Sequence, residues 1–124
     1  MAEGRKKVLV VDDLDDIRRV YSIALAEHFD VDQAPNAITA FEHIVNHRPS
    51  AVVLDIRMPG RMSGIELCRH IKQNDAYNKI CVVIVSGWGH LYEHEMLAEY
   101  GADAFFEKPV SPGKLASFLK NALA

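Results

Sequence analysis

Val8-Leu9-Val10-Val11-Asp12-Asp13 sets the reading of this chain: four apolar residues, three of them β-branched, that end on two carboxylates. An apolar run without polar alternation suits a strand covered on both faces, the kind that parallel sheets contain. Three more runs repeat the plan. Val52–Leu54 ends on Asp55, Ile80–Val85 ends on Ser86, and Ala104–Phe106 is followed shortly by Lys108. If these are parallel strands of one sheet, their carboxyl ends share one edge, where open α/β folds bind ligands. That edge collects three carboxylates, a hydroxyl and an ammonium, a set that can hold a divalent cation and a phosphoryl group.

Outward from this stretch, five segments have strand character: Val8–Val11, Val31–Ala34, Ala51–Leu54, Ile80–Val85 and Asp103–Phe106. The second is the most polar and is expected at an edge. Between them the apolar period turns helical. Ile17, Val20, Tyr21, Ala24 and Leu25 form one stripe, and Ile38, Phe41, Ile44 and Val45 the next. Ile65, Leu67, Cys68 and Ile71 form a third, Leu91, Met96, Leu97 and Tyr100 a less regular fourth, and Leu115, Phe118, Leu119 and Leu123 a fifth. Punctuation agrees with these boundaries. Ser63 and Glu66 have capping-box spacing, Asn36 can cap the second helix, Ser111-Pro112 fits N-cap then N1, and Gly101 suits a left-handed position after the fourth helix. Strand and helix alternate five times, which predicts right-handed crossovers and an α/β fold: a flavodoxin-like, doubly wound, five-stranded parallel sheet in the order 2-1-3-4-5 with five helices. Its switch point falls between strands one and three, which carry Asp12, Asp13 and Asp55.

Composition narrows the classes. At 124 residues the chain fits one domain, expected to span residues 1–124 with no linker and no attached output domain. Fourteen Lys and Arg against 17 Asp and Glu give a formal charge of −3, which offers no electrostatic basis for direct nucleic-acid binding. Cys68 and Cys81 lack CxxC spacing and sit in apolar-periodic segments, so they read as reduced, packed thiols. No run has the length of a signal-peptide core or a membrane span, so a cytoplasmic protein without membrane attachment is expected.

Crowded carboxylates repel and raise each other's pKa unless a cation is bound. Mg²⁺ takes oxygen ligands, keeps several waters and uses one or two carboxylates plus phosphate oxygens, which matches a small open acidic cluster. Asp is also an established phosphoryl acceptor through an acyl phosphate. Asp55 is the candidate nucleophile, since it stands on the strand facing the Asp12-Asp13 pair and precedes the turn-forming Pro59-Gly60. Asp12 and Asp13 are left for the metal, and Ser86 and Lys108 for the phosphoryl oxygens. Taken singly, an Asp or Ser after a strand is an ordinary turn or cap residue. Four strand ends supplying complementary groups on one edge favour a site.

At these positions the chain closely resembles the receiver domain of two-component response regulators, of the stand-alone, chemotaxis-regulator-like kind. The signatures are VLVVDD at Val8–Asp13, LDIRMPG at Leu54–Gly60, VSG at Val85–Gly87 and EKP at Glu107–Pro109. The resemblance implies that Asp55 is phosphorylated by a histidine kinase or a histidine phosphotransfer protein. It implies that Asp13, Asp55 and the backbone carbonyl of Arg57 ligate Mg²⁺ with Asp12 helping through water, and that Ser86 and Lys108 bind the phosphoryl group. It also implies a cis peptide before Pro109 and a switch aromatic at Phe105. Such a protein is no enzyme in the ordinary sense, though it catalyses its own Mg²⁺-dependent phosphorylation and dephosphorylation.

The expected consequence is a population shift. Ser86 moves toward the phosphoryl group, Phe105 fills the space, and the face of the fourth helix, fifth strand and fifth helix changes for a downstream target protein. Arg57 and Trp88 each stand two residues beyond a site residue, and both are bulky. Trp88 either screens the phosphoryl group from water or serves partner contact, with Tyr92 and Met96 as further anchors. The alternative role is a relay or sink that passes phosphoryl groups between histidine-containing proteins. Arg61 and Met62 lengthen this loop by one residue over the commonest family spacing. His90 and His94 stand four apart, but no Glu or Cys converges on them, and a solvated face is the plainer reading. Two rivals fit less well. A haloacid-dehalogenase-like phosphatase needs an Asp where Arg57 stands, and an FMN carrier needs a Ser/Thr/Gly-rich phosphate loop where Asp12-Asp13 would repel the ligand.

Overall fold

The computed structural model of the protein describes residues 4–56, 63–87 and 99–124. Its strands are β1 (Lys7–Val11), β2 (Asp30–Ala34), β3 (Ala51–Asp55), β4 (Cys81–Ser86) and β5 (Ala104–Glu107). The helices among the described residues are α1 (Asp15–Leu25), α2 (Ala37–His47), α3 (Gly64–Lys72) and α4 (Pro112–Ala122). All strand pairs are parallel and the order is β2-β1-β3-β4-β5, as the alternation predicts. Leu91, Met96 and Leu97, from the stripe read as a fourth helix, lie outside the described residues.

The apolar runs of β1, β3 and β4 are buried nearly throughout because helices cover both faces. Alternation along each strand divides the core in two. Leu9, Val11, Val52, Leu54, Val82 and Ile84 face α2 and α3. Val8, Val10, Val53, Val83 and Val85 face α1 and α4. Polar β2 is an edge strand, as expected.

Seven strand boundaries move by one residue: β1 and β2 start one residue earlier than expected, β3 ends one later, and β4 and β5 each start and end one later. Ile80 stays in the turn before β4, where its N–H bonds to Tyr77 O at 3.0 Å. Asp103 precedes β5 yet still joins it to β4: its N–H bonds to Val82 O at 2.8 Å and its carboxylate accepts Val82 N–H at 2.8 Å. Lys72 locks the same corner, its Nζ donating to Asn78 O at 2.9 Å, Ile80 O at 2.8 Å and Asp103 Oδ2 at 3.0 Å.

The predicted caps are present. Asn36 accepts from Thr39 N, Ser111 accepts from Lys114 N with Pro112 at N1, and Ser63 with Glu66 forms a complete capping box. Gly101 has φ +78°, the left-handed geometry that a residue without Cβ adopts at no steric cost. The stripes of α1 and α2 need correction. Val20 (50% exposed), Ile38 (42%) and Val45 (43%) face outward. In α2 the small Ala37 and Ala40 take the sheet-facing positions with Ile44, which turns Ile38 and Val45 outward. In α1 Ser22 is buried instead of Val20, and its hydroxyl donates to Arg18 O at 2.7 Å.

No helix among the described residues is long and apolar enough to cross a membrane.

Candidate functional site

The carboxyl ends of β1, β3 and β5 bring Asp12, Asp13, Asp55 and Lys108 together. One carboxylate oxygen from each of the three Asp residues lies within 4.8 Å of the others. Lys108 Nζ lies 3.3 Å from Asp12 Oδ2 and 3.2 Å from Asp55 Oδ2. Alternation explains the convergence. Asp12, Asp55 and Lys108 stand two residues beyond Val10, Val53 and Phe106, all on the α1/α4 side of the sheet.

Asp12 and Asp55 are buried, at 3% and 8% exposure, and polar groups so placed need hydrogen-bond or ionic partners. Asp12 uses both oxygens: Oδ2 meets Lys108, while Oδ1 accepts Leu14 N–H at 2.9 Å and so shapes the turn into α1. Turn residue and site residue are therefore the same carboxylate. Burial alone would lower the Lys108 pKa, but Asp55 and Asp12 outweigh it and hold the ammonium above its ordinary value. Lys108 thus supplies the positive charge among the three carboxylates. The peptide from Lys108 to Pro109 is cis, as the resemblance implies.

Ser86 is fully buried at the end of β4, one residue past the register partner of Asp55. Its carbonyl accepts Lys108 N–H at 2.8 Å, which ties the β4 and β5 ends together. Phe105 pairs in register with Ile84, two residues before Ser86, so Phe105 and Ser86 belong to the same face of the sheet. Phe105 is half-buried against the α2/α3 core. Its neighbour Phe106 points the other way and meets Phe118 of α4 edge-on, with ring centroids 5.6 Å apart. Arg57, Trp88 and Tyr92 lie outside the described residues, as do His90 and His94.

Three residues near the site carry more than their sequence positions suggested. Tyr21, read as part of an apolar stripe, is buried on the α1 side; burial chiefly raises its pKa, with Lys108, Asp12 and Asp55 close enough to act on it. Arg18 donates to Asp12 O at 2.8 Å, Asp15 Oδ1 at 2.6 Å and Gln33 Oε1 at 3.0 Å, joining the β1–α1 turn to β2. Gly64 packs directly on the Asp55 backbone. The pair with Asp15 is a local i,i+3 contact, but the bonds to Asp12 O and to Gln33 of β2 cannot be read from spacing.

The donor set fits a hard divalent cation, since three carboxylates with no sulfur or nitrogen match the oxygen preference of Mg²⁺. At the opposite end of the sheet, a cavity of about 350 Å³ is lined by Lys6, Arg48 and Lys79 among others. Ala122 at the end of α4 and Arg48 just past α2 also line it, so its cations stand near two helix C-termini, where positive charge is favoured.

Residues 8–120 match the response regulator receiver domain. The chain belongs to that family. Its receiver domains are phosphorylation-dependent switches of two-component systems; they use Mg²⁺ and interact with histidine kinases or phosphotransfer proteins. The chain is 34% identical over 119 residues to the phosphate regulon transcriptional regulatory protein PhoB of Pseudomonas aeruginosa, covering 95% of this chain and 52% of the relative. It is 32% identical to the sporulation initiation phosphotransferase F of Bacillus subtilis strain 168, covering 95% of this chain and 94% of the relative. It thus spans about half of the first relative and nearly all of the second. A solved CheY-like receiver domain from Methanospirillum hungatei superimposes with a TM-score of 0.88 at 28% identity, covering 97% of this chain and 94% of that one.

Proposed function

We propose that this receiver domain is a signalling switch that takes a phosphoryl group onto Asp55 from a histidine kinase or a histidine phosphotransfer protein, and then presents an altered face to a downstream target protein. The observation that carries this is the meeting of three carboxylates within 4.8 Å with an ammonium 3.2 Å from Asp55. In the transfer, a carboxylate oxygen of Asp55 bonds to phosphorus as the donor's P–N bond breaks. The electron pair of that bond stays with the imidazole nitrogen, which takes a proton.

Asp13, Asp55 and the Arg57 carbonyl would hold Mg²⁺, with Asp12 assisting through water. Bound there, the cation would offset the carboxylate charges and polarise the phosphoryl oxygens. Lys108 keeps its charge because Asp55 and Asp12 hold its proton, so it is ready to pair with a phosphoryl oxygen. Ser86 offers a hydroxyl to another, and Phe105, on the same face of the sheet, follows the space that Ser86 vacates. Trp88 and Arg57 screen the acyl phosphate from water, and Tyr92 contributes to the partner-binding face.

Whole-length similarity to the sporulation initiation phosphotransferase F favours a second role, a relay that hands the phosphoryl group on to another histidine-containing protein. Transfer assays separate the two. In a switch, a beryllofluoride-loaded protein captures a target and label stays on Asp55; in a relay, label passes to a phosphotransfer protein. Failure of Asp55→Asn to lose labelling would overturn both.

A further inference from the structure

We propose that Gly64 is a positioning residue for Asp55: the first residue of α3, having no Cβ, sets where the backbone of the phosphoacceptor rests. This depends on the assignment of Asp55 made above. A Cβ built at Gly64 would overlap the Asp55 carbonyl oxygen and come within 2.7 Å of Ile56 Cα and 3.0 Å of the Asp55 carbonyl carbon. All three are backbone atoms, so no side chain can swing aside to make room.

Neither partner can yield without loss. On one side, β3 lies at the centre of the sheet with every residue buried. On the other, α3 is anchored through Leu67, Cys68 and Ile71 in the core, and its start is fixed by the Ser63–Glu66 capping box. The Gly64 N–H donates to Ile56 O at 3.1 Å, so helix and strand end are also bonded directly. A methyl group at Gly64 must therefore move the peptide that carries Asp55, or push α3 off the strand. Asp55 Oδ2 is placed against Lys108 at 3.2 Å, and a displacement of about 1 Å at a reacting group can cost about 100-fold in rate. Gly113 gives the contrast, since a Cβ there meets nothing within 4 Å.

The test measures Mg²⁺-dependent phosphorylation by acetyl phosphate, together with thermal stability, for wild type, Gly64→Ala, Gly113→Ala and Ser63→Ala. Gly64→Ala is expected to slow phosphorylation at least about tenfold, and the loss persists at Mg²⁺ concentrations that saturate the wild type. Gly113→Ala keeps the wild-type rate. Ser63→Ala loosens the cap without adding an atom against Asp55, so it loses stability and keeps its rate. A wild type that takes no phosphoryl group overturns the Asp55 assignment and this inference together. A phosphorylated wild type matched in rate by folded Gly64→Ala overturns this inference alone, as does an equal slowing in Ser63→Ala. If Gly64→Ala does not fold, amide resonances of the wild type decide. The Gly64 amide is expected to shift with Asp55 as Mg²⁺ is added, and a Gly64 signal that stays fixed while Asp55 moves overturns the proposal.

Discussion

Lys108 Nζ reaches across the end of β4 to within 3.2 Å of Asp55 Oδ2, and on to Asp12 Oδ2 at 3.3 Å, so one ammonium serves two buried carboxylates. Removing it leaves both acids without that cation. Lys108→Met is expected to lower stability at neutral pH by about 1–3 kcal/mol, less than for a fully buried pair because the lysine side chain is 24% exposed. Mg²⁺ supplies the missing positive charge, so the variant gains more stability from Mg²⁺ than wild type does. Urea unfolding with and without Mg²⁺ checks this, and equal gains would contradict it.

The raised Lys108 pKa sets a pH window. A group held above its unfolded value contributes stability that is fully present below the unfolded pKa of about 10.4 and is lost as pH rises through the folded value. The contribution is therefore constant through neutral pH. Above about pH 10, wild type should lose stability more steeply than Lys108→Met. Chemical denaturation across the alkaline range reads the difference, and parallel curves would contradict it.

Asp13 is assigned to the metal and Asp12 to both metal and turn, which separates their variants. Asp13→Asn should leave metal-free stability within about 0.5 kcal/mol of wild type. It should also remove most of the Mg²⁺ stabilisation, which for wild type is about 1.4 kcal/mol at tenfold excess over the dissociation constant. Asp12→Asn should in addition disturb the bond to Leu14 N–H and the contact with Lys108. Thermal melts over a Mg²⁺ series distinguish the two.

Burial pushes the Cys68 thiol up to about 12 and the Cys81 thiol up to about 11, and both cysteines are free. Since the thiolate is the reactive form, neither should react appreciably with a disulfide reagent in the folded protein at neutral pH. Both should react once the chain is unfolded. Rapid native labelling of Cys68 would contradict the packing described for α3.

The sheet was legible because each strand carries its own signal. Unbroken runs such as Val8–Val11 mark central strands, and the polar β2 marks an edge. Helix starts were legible for the same local reason, since Ser63, Asn36 and Ser111 bond within three residues of themselves. The facing of Ile38 and Val45 was not, because it depends on how closely Ala37 and Ala40 let α2 approach the sheet, and neither was that of Val20, because in α1 Ser22 takes the buried position with its hydroxyl bonded to Arg18 O. The convergence of Asp12, Asp13, Asp55 and Lys108 followed from strand ends sharing one edge. The shared ammonium, the Arg18 bridge and the contact of Gly64 with Asp55 depend on tertiary distances that no spacing encodes.

Both proposed roles require Asp55 to accept a phosphoryl group with help from a divalent cation. Intact-protein mass after incubation with a small phosphodonor, with and without Mg²⁺, tests it for wild type and Asp55→Asn. A Mg²⁺-dependent, acid-stable and base-labile gain of one phosphoryl group, absent in Asp55→Asn, is the predicted result; no adduct on wild type under any condition, or the same adduct on the variant, would contradict it.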